Sequence, residues 1–289
     1  MKKILSSVLV ASLLITNSYA TSSKTISKDA LSVAKKEASK NAQLHVIHEA
    51  LEAVMLTQKV LRDIDKKEKN KAVSDIEKAI GKLEVILAKK DAPMMLPIDS
   101  TLSAHEFDAD TKAIKTARKE VENLLDDGKI QEARKLLNTL QSEIDITTIN
   151  LPLASYPASL KLAASYLHEG KTSEAKDVLQ MALSTLVQTT IVIPIPLISA
   201  KALIDDAKKI AKKDKKQALK HLAMAKEELK KAELLGYTSS SEVSYKMLNS
   251  AIEKVQKEIK GKNKAEKLFD ELLEKLKSFK QNATKTSSK

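Results

Sequence analysis

Cysteine is absent from this chain of 289 residues, which excludes disulfide bonds, thiol nucleophiles, thiolate metal sites and a lipid-modified cysteine. Glycine and proline are scarce, with five and six residues, and aromatic residues make up only 3%. Few turns are therefore available, and few rings could stack on nucleic-acid bases. The hydrophobic core must stabilise the fold without covalent help.

Apolar runs long enough to cross a bilayer are also missing. The N-terminal segment MKKILSSVLVASLLITNSYA has two lysines, an apolar stretch and small residues before Ala20. Its apolar stretch is about a dozen residues, whereas a membrane-spanning helix needs roughly 20. We predict a secretory signal peptide over residues 1–20, cleaved after Ala20, and hence export to the periplasm. No integral membrane segment is expected in the mature chain.

The net charge of +12 comes almost entirely from lysine, because the sequence holds 50 basic residues and few are arginine. Arginine supplies the bidentate fork that grips phosphate, and it occurs only as Arg62, Arg118 and Arg134. We therefore expect no nucleic-acid partner. The lysines are interpreted as the solvated faces of helices.

Alanine, leucine, lysine and glutamate dominate what remains, as in long amphipathic helices. Apolar residues at steps of three and four predict one helix over 29–64 and a second over 70–89. A third is expected to begin near Asp110, which can cap it. Further helices are expected from a cap at Ser241 to about 260, and over about 263–281.

Two consecutive segments, residues 128–169 and 170–211, align without a gap and indicate an internal duplication. Each copy begins with Gly-Lys, where glycine can end the preceding helix. An alanine follows at the sixth position, where a small side chain permits close helix packing. The identical pairs include Gly128/Gly170, Ala133/Ala175, Leu137/Leu179, Thr147/Thr189, Thr148/Thr190 and Pro152/Pro194.

The two copies also share a β-branched run that ends in proline, TTINLP and TTIVIP, which favours extended backbone. Buried extended backbone needs hydrogen-bond partners. We predict short paired strands near 94–98, 146–150 and 188–193, the alternative being irregular extended segments. The predicted fold class is mainly α, with repeated αα-hairpin units, short extended or β connections and C-terminal helices.

The motifs LPID, GK followed by EA, and the β-branched run ending in LPL resemble the YfdX family of exported bacterial helical proteins. The resemblance extends over roughly residues 30–236. It implies a mainly helical periplasmic protein linked to stress responses, without an established enzymatic activity or defined ligand residues. The predicted domains are therefore a helical domain over 21–236 and a C-terminal helical hairpin with a disordered tail over 237–289.

Candidate metal ligands are few. His45 and His48 would lie on one side of a helix beside Glu49, but a third or fourth zinc ligand is not identifiable. The acidic loop 105–110 gathers Glu106, Asp108 and Asp110, as calcium sites do, although the acids are also suited to capping the next helix. No cofactor is expected. His168 and His221 are interpreted as surface residues.

Tyr156 and Tyr166 could line a groove between the repeated units, although filling the core is the alternative. No catalytic motif is present, so an enzyme is not expected. The sequence favours a non-enzymatic exported scaffold that binds a small molecule or partner protein, and that could form homo-oligomers. The alternative function is a metal or small-molecule buffer that uses His45 and His48 or the acidic loop.

Overall fold

The computed structural model describes residues 22–237, 244–283 and 287–288. The predicted signal peptide lies outside these residues, as does most of the predicted linker after Gly236. The helices are α1 (Ser23–Leu44), α2 (His48–Asp65), α3 (Lys69–Leu87), α4 (Thr111–Asp126), α5 (Ile130–Thr139), α6 (Tyr156–His168), α7 (Thr172–Ser184), α8 (Ile195–Ile210), α9 (Lys215–Leu234), α10 (Tyr245–Lys260) and α11 (Glu266–Ala283). The strands are β1 (Met95–His105), β2 (Glu143–Pro152), β3 (Val187–Pro194) and β4 (Ser287–Ser288). The mainly α fold class is confirmed.

The single helix expected over 29–64 is wrong, because the chain breaks into α1 and α2 at residues 45–47. Ile47 has extended backbone angles, and its N–H donates to the carbonyl of Pro97 at 2.7 Å. A helical Ile47 would direct this N–H into its own helix. The apolar periodicity continues across the break, so the pattern alone could not reveal a tertiary hydrogen bond that competes with the helix.

The three predicted strands are present, and each is longer than expected. They form one sheet in the order β1-β2-β3-β4, in which the two-residue β4 pairs antiparallel with β3. Strands β1 and β2 run in opposite directions. The Leu153 N–H donates to the Met94 carbonyl, and the hydroxyls of Thr148 and Ser100 lie 3.3 Å apart, so the partner's number falls as the number along β1 rises. The β-branched runs thus satisfy their backbone by pairing with one another.

The shared Thr-Thr motifs of the two copies meet in this sheet. The hydroxyls of Thr147 and Thr190 lie 3.2 Å apart. The amide of Asn150 donates to the Thr189 hydroxyl at 3.1 Å and to the Val187 carbonyl at 3.3 Å. Side chains of β2 and β3 therefore reinforce the pairing of the duplicated strands.

Helical hairpins form around the glycine turns that start each copy. Gly128 and Gly170 have φ of 74° and 79°, a conformation that only glycine adopts without strain. Lys129 and Lys171 then donate their N–H groups back to carbonyls in the preceding helix, at 2.8 Å in both cases. Each hairpin, α4–α5 and α6–α7, thus joins the helix before a copy to the first helix of that copy. Within each copy a strand separates the two helices.

The chain divides into two compact units, each built from separate stretches of sequence. Of the described residues, compact unit 1 comprises those within 1–38, 103–145 and 191–285, and compact unit 2 comprises those within 39–102, 146–190 and 286–289. The boundary falls within each of the strands β1, β2 and β3.

Compact unit 2 contains α2, α3, α6 and α7 around one core. Its fully buried residues include Ile76, Leu83, Leu160 and Leu179. Compact unit 1 contains α4, α5 and α8–α11, in which α8 packs on α9 and α11, and α9 packs on α4 and α10. Polar side chains cap three of these helices: Asp110 accepts from the Ala113 N–H at 2.8 Å, as expected, and Asp214 accepts from the Gln217 N–H at 2.9 Å at the start of α9. Ser244 caps α10, whereas the expected cap Ser241 lies outside the described residues.

Candidate functional site

A cluster of polar side chains lies in compact unit 1, where β1 ends and β2 begins. Glu143 and Asp145 are two residues apart on β2, so they share one face of the strand. The antiparallel register brings His105, the last residue of β1, to the same end of the sheet. Together with Tyr237 these residues form what we call the acid–tyrosine cluster.

Tyr237 reaches the cluster because the chain turns sharply at the end of α9. Gly236 has a φ of 85°, and the Tyr237 N–H donates back to the Ala232 carbonyl at 2.9 Å. The Tyr237 hydroxyl accepts the Ser142 N–H at 2.9 Å. The same hydroxyl donates a hydrogen bond to the Glu143 carboxylate.

Burial controls the electrostatics of this cluster. Glu143 is only 9% exposed, and burial raises the pKa of its carboxyl, as does the negative charge of Asp145. Burial also raises the pKa of Asp145 and of the Tyr237 hydroxyl, while His105 opposes the shift in both acids. These carboxyls therefore hold protons more readily than ordinary surface acids. One carboxylate oxygen of Asp145 is buried without a hydrogen-bond partner.

His221 is the second buried polar group, and its expected surface position is wrong. It is 1% exposed on α9, with Nδ1 2.9 Å from an oxygen of Asp206 on α8 and Nε2 2.7 Å from the amide nitrogen of Gln217. Because a carboxylate oxygen accepts hydrogen bonds, these neighbours assign a proton to Nδ1, which faces Asp206. The many charged residues around His221 suggested a solvent-exposed helix. The indication of burial was the spacing of the alanines and leucines of α9, with which His221 shares a face.

Lys280 on α11 was also missed by sequence reasoning. It is 5% exposed, and burial together with the nearby charge of Lys201 lowers the pKa of its ammonium group to about 7. Lys201 itself pairs with Asp205 at 2.6 Å. Lys277, three residues earlier on the same helix, is exposed, so the lysine-rich composition of α11 did not distinguish Lys280.

The histidine pair expected on one helix side does not form. His45 lies in the break between α1 and α2, whereas His48 begins α2, and both are exposed. In the acidic loop, Glu106 and Asp108 are exposed and Asp110 caps α4. Over the described residues, no group of three or more histidine, aspartate or glutamate side chains is arranged to hold a metal ion.

The two tyrosines expected in a groove belong to compact unit 2. Tyr156 is completely buried in the core, and burial raises its pKa to about 12. Tyr166 is partly buried against the same core, with the ammonium group of Lys171 5.8 Å from the centre of its ring. Tyr156 therefore fills the core rather than lining an open groove, because its ring starts α6 on the face that packs inward.

Several large apolar side chains remain open to solvent. In compact unit 2 they include four methionines, whose side chains are 38–67% exposed. We call them the exposed methionines: Met55, Met94, Met95 and Met181. In compact unit 1, Ile130 and Leu137 are 57% and 48% exposed on α5. Within the described ranges, no helix is both long enough and apolar enough to span a bilayer.

Comparison with known proteins finds similarity to one protein family and shows no activity. No curated protein sequence matches this chain. A solved crystal structure of YfdX from Salmonella Typhi aligns with 52% of this chain and 93% of its own. The aligned residues are 16% identical and the TM-score is 0.37. The family model described as YfdX protein matches residues 53–192, a shorter segment than the expected 30–236. Residues 53–192 are therefore similar to the YfdX family, as the sequence motifs indicated.

Proposed function

We propose that this protein is an exported, non-enzymatic helical scaffold that binds a partner protein or a small apolar molecule. The exposed methionines of compact unit 2 are the observation that supports a binding role. Methionine side chains are flexible and polarisable, so they adapt to partners of different shape. Leaving four of them in water around a closed core costs solvation free energy that a bound partner would recover.

The polar groups support a scaffold better than a catalyst. Glu143, Tyr237 and Ser142 bond to one another, and His221 lies between Asp206 and Gln217. Such groups stabilise tertiary packing, and few of them face solvent where a substrate could reach. The proposed stress-associated role and periplasmic location rest on the family resemblance and on the signal-peptide pattern of residues 1–20.

Native mass spectrometry of the protein purified from its own compartment tests this proposal. We expect a chain that starts after Ala20 and carries an added mass from a small molecule or a polypeptide. Replacing Met55 and Met181 by lysine should remove that added mass. The matched control is Val85→Lys, because Val85 is 56% exposed on α3 and is not one of the exposed methionines.

Two results would contradict the proposal. One is a bare chain, with no bound mass under any gentle ionisation condition. The other is stoichiometric metal that is lost on dialysis with a chelator, since this would favour the buffer that was the alternative function.

A further inference from the structure

Helix α5 has a second exposed surface, separate from the exposed methionines, whose role rests on the proposed binding function. We propose that α5 is a docking site for an acidic amphipathic helix of a partner protein. The α5 stripe, defined as Ile130, Arg134 and Leu137, is the surface in question. These residues are spaced by four and three positions, so they lie along one face of the helix.

The second copy of the duplication provides a template for what covers this stripe. Residues 42 positions later are Thr172, Lys176 and Leu179 on α7. Leu179 is completely buried in the core that α7 shares with α2, α3 and α6. Lys176 forms an ion pair of 2.6 Å with Asp65, the last residue of α2. An amphipathic helix that ends in a carboxylate therefore covers this face around Lys176 and Leu179 in the second copy, while Thr172 is exposed.

In the first copy the corresponding positions lack such a cover. Leu137 is 48% exposed and Ile130 is 57% exposed, although Ala133 beside them is completely buried against α4. No carboxylate of the described residues forms an ion pair with Arg134, whereas the matching Lys176 has one. The α5 stripe thus retains the leucine and the basic residue of the template, has Ile130 where the template has Thr172, and lacks the complementary helix.

Charge indicates which helix would bind. The stripe has Arg134 at its centre, with Lys135 next to it, so a helix with carboxylates at its edge would be attracted. A second copy of this chain is a poorer occupant. If two α5 helices paired antiparallel about a twofold axis through the stripe, Arg134 would face Arg134 of the other copy. Like charges directly opposed in an interface disfavour association.

The α2 sequence provides a probe, because α2 already covers the equivalent face of α7. We would use the peptide HEALEAVMLTQKVLRDID, residues 48–65, with a fluorescent label and a hydrocarbon staple between positions 58 and 62. Both staple positions are exposed in α2, so the staple leaves the packing face and Asp65 unchanged. Fluorescence anisotropy with the mature chain should show binding in the range of about 10–100 µM.

The variants locate the bound peptide. Leu137→Asp should weaken binding at least tenfold, since a leucine side chain would no longer be buried. Arg134→Glu should weaken binding about threefold, and a peptide with Asp65→Lys should restore it by reversing the charges. Val85→Asp is the control and should bind as the unmodified chain does. Both docking-site residues are exposed, and circular dichroism would verify that the variants fold.

Three outcomes would overturn the inference. The peptide could fail to bind at millimolar concentration, or it could bind Leu137→Asp as tightly as the unmodified chain. The third is a dimer of the chain in light scattering that Leu137→Asp abolishes, because the occupant would then be a second copy. A co-purified mass that depends on Met55 and Met181 would leave the proposed function intact in any of these cases.

Discussion

The first and second copies of the duplication share their local geometry but differ in what surrounds them. Both begin at a glycine with positive φ, and both bury the alanine at the sixth position completely. The leucine four residues later is 48% exposed in the first copy, at Leu137, and fully buried in the second, at Leu179. Identical residues at identical positions in a repeat therefore have different energetic roles.

The strands of the two copies differ in a complementary way. The first copy begins β2 with Glu143 and Asp145, whereas the second copy has Thr185 and Val187 at those positions. Buried carboxyls thus occur in only one member of the pair. The comparison indicates that the duplicated motif determines the turn, the helix start and the strand, while neighbouring segments determine burial and charge.

The leucine pair gives the largest expected difference between the copies. Leu179→Ala should lower the free energy of unfolding by about 2–5 kcal/mol, because it leaves a cavity in a closed core. Leu137→Ala should change it by less than about 0.5 kcal/mol, because its side chain is already half in water. Urea unfolding followed by circular dichroism measures both. Equal effects in the two variants would mean that Leu137 is covered in solution.

Substitutions of the alanine pair should have equal effects in the two copies. Ala133 and Ala175 are both completely buried, so Ala133→Leu and Ala175→Leu would each force an extra three carbons into packed helices. We expect a loss of about 1–3 kcal/mol in each case. Thermal unfolding of both variants, with Ala→Ser changes at the same positions as small-residue controls, provides the measurement. A tolerated Ala133→Leu would show that α5 packs loosely on α4.

The glycine pair should also respond equally, by a smaller amount. Gly128→Ala and Gly170→Ala place a Cβ atom where φ is 74° and 79°, at a cost of about 1–2 kcal/mol each. Gly81 is the matched control, because it lies inside α3 with nothing within 4 Å of an added Cβ. Gly81→Ala should stabilise the protein by about 0.5–1 kcal/mol. Chemical unfolding measures the three changes. A neutral substitution at Gly128 or Gly170 would mean that the turn there does not have a positive φ in solution.

Much of the fold could be predicted because it depends on local chemistry. The Gly-Lys turns, the Asp110 cap and the extended β-branched runs each follow from the residues at that place, and the duplication made them easier to recognise. The break at Ile47 could not be predicted, because its cause is a hydrogen bond to Pro97, fifty positions later in the chain.

The candidate site was less predictable for the same reason. His221 and Lys280 have sequence surroundings typical of solvated helices, yet both are buried by helices distant in sequence. The sequence could not show which face of α6 packs inward, and therefore could not show that Tyr156 lies in the core. The acid–tyrosine cluster depends on a strand register and a glycine turn that join residues 143 and 237, and no spacing rule connects those positions.

The smallest expected effect concerns the carboxyl that only the first copy buries. Burial raises the folded-state pKa of Glu143 above its unfolded value of about 4.3. The native state therefore binds more protons than the unfolded state between these two pKa values. It follows that Glu143 stabilises the fold most below its unfolded pKa, and that this stability is lost as the pH rises through the folded pKa.

Glu143→Gln should remove this pH dependence while keeping an oxygen that accepts the Tyr237 hydroxyl. At pH 7 the variant should equal or exceed the unmodified chain in stability, by less than about 1 kcal/mol. Its free energy of unfolding should also vary less between about pH 4 and 7. Asp127→Asn is the control, since Asp127 is exposed and its only ion pair is with Lys129 among the described residues. If both variants lose the same pH dependence, then burial of Glu143 does not distinguish the first copy.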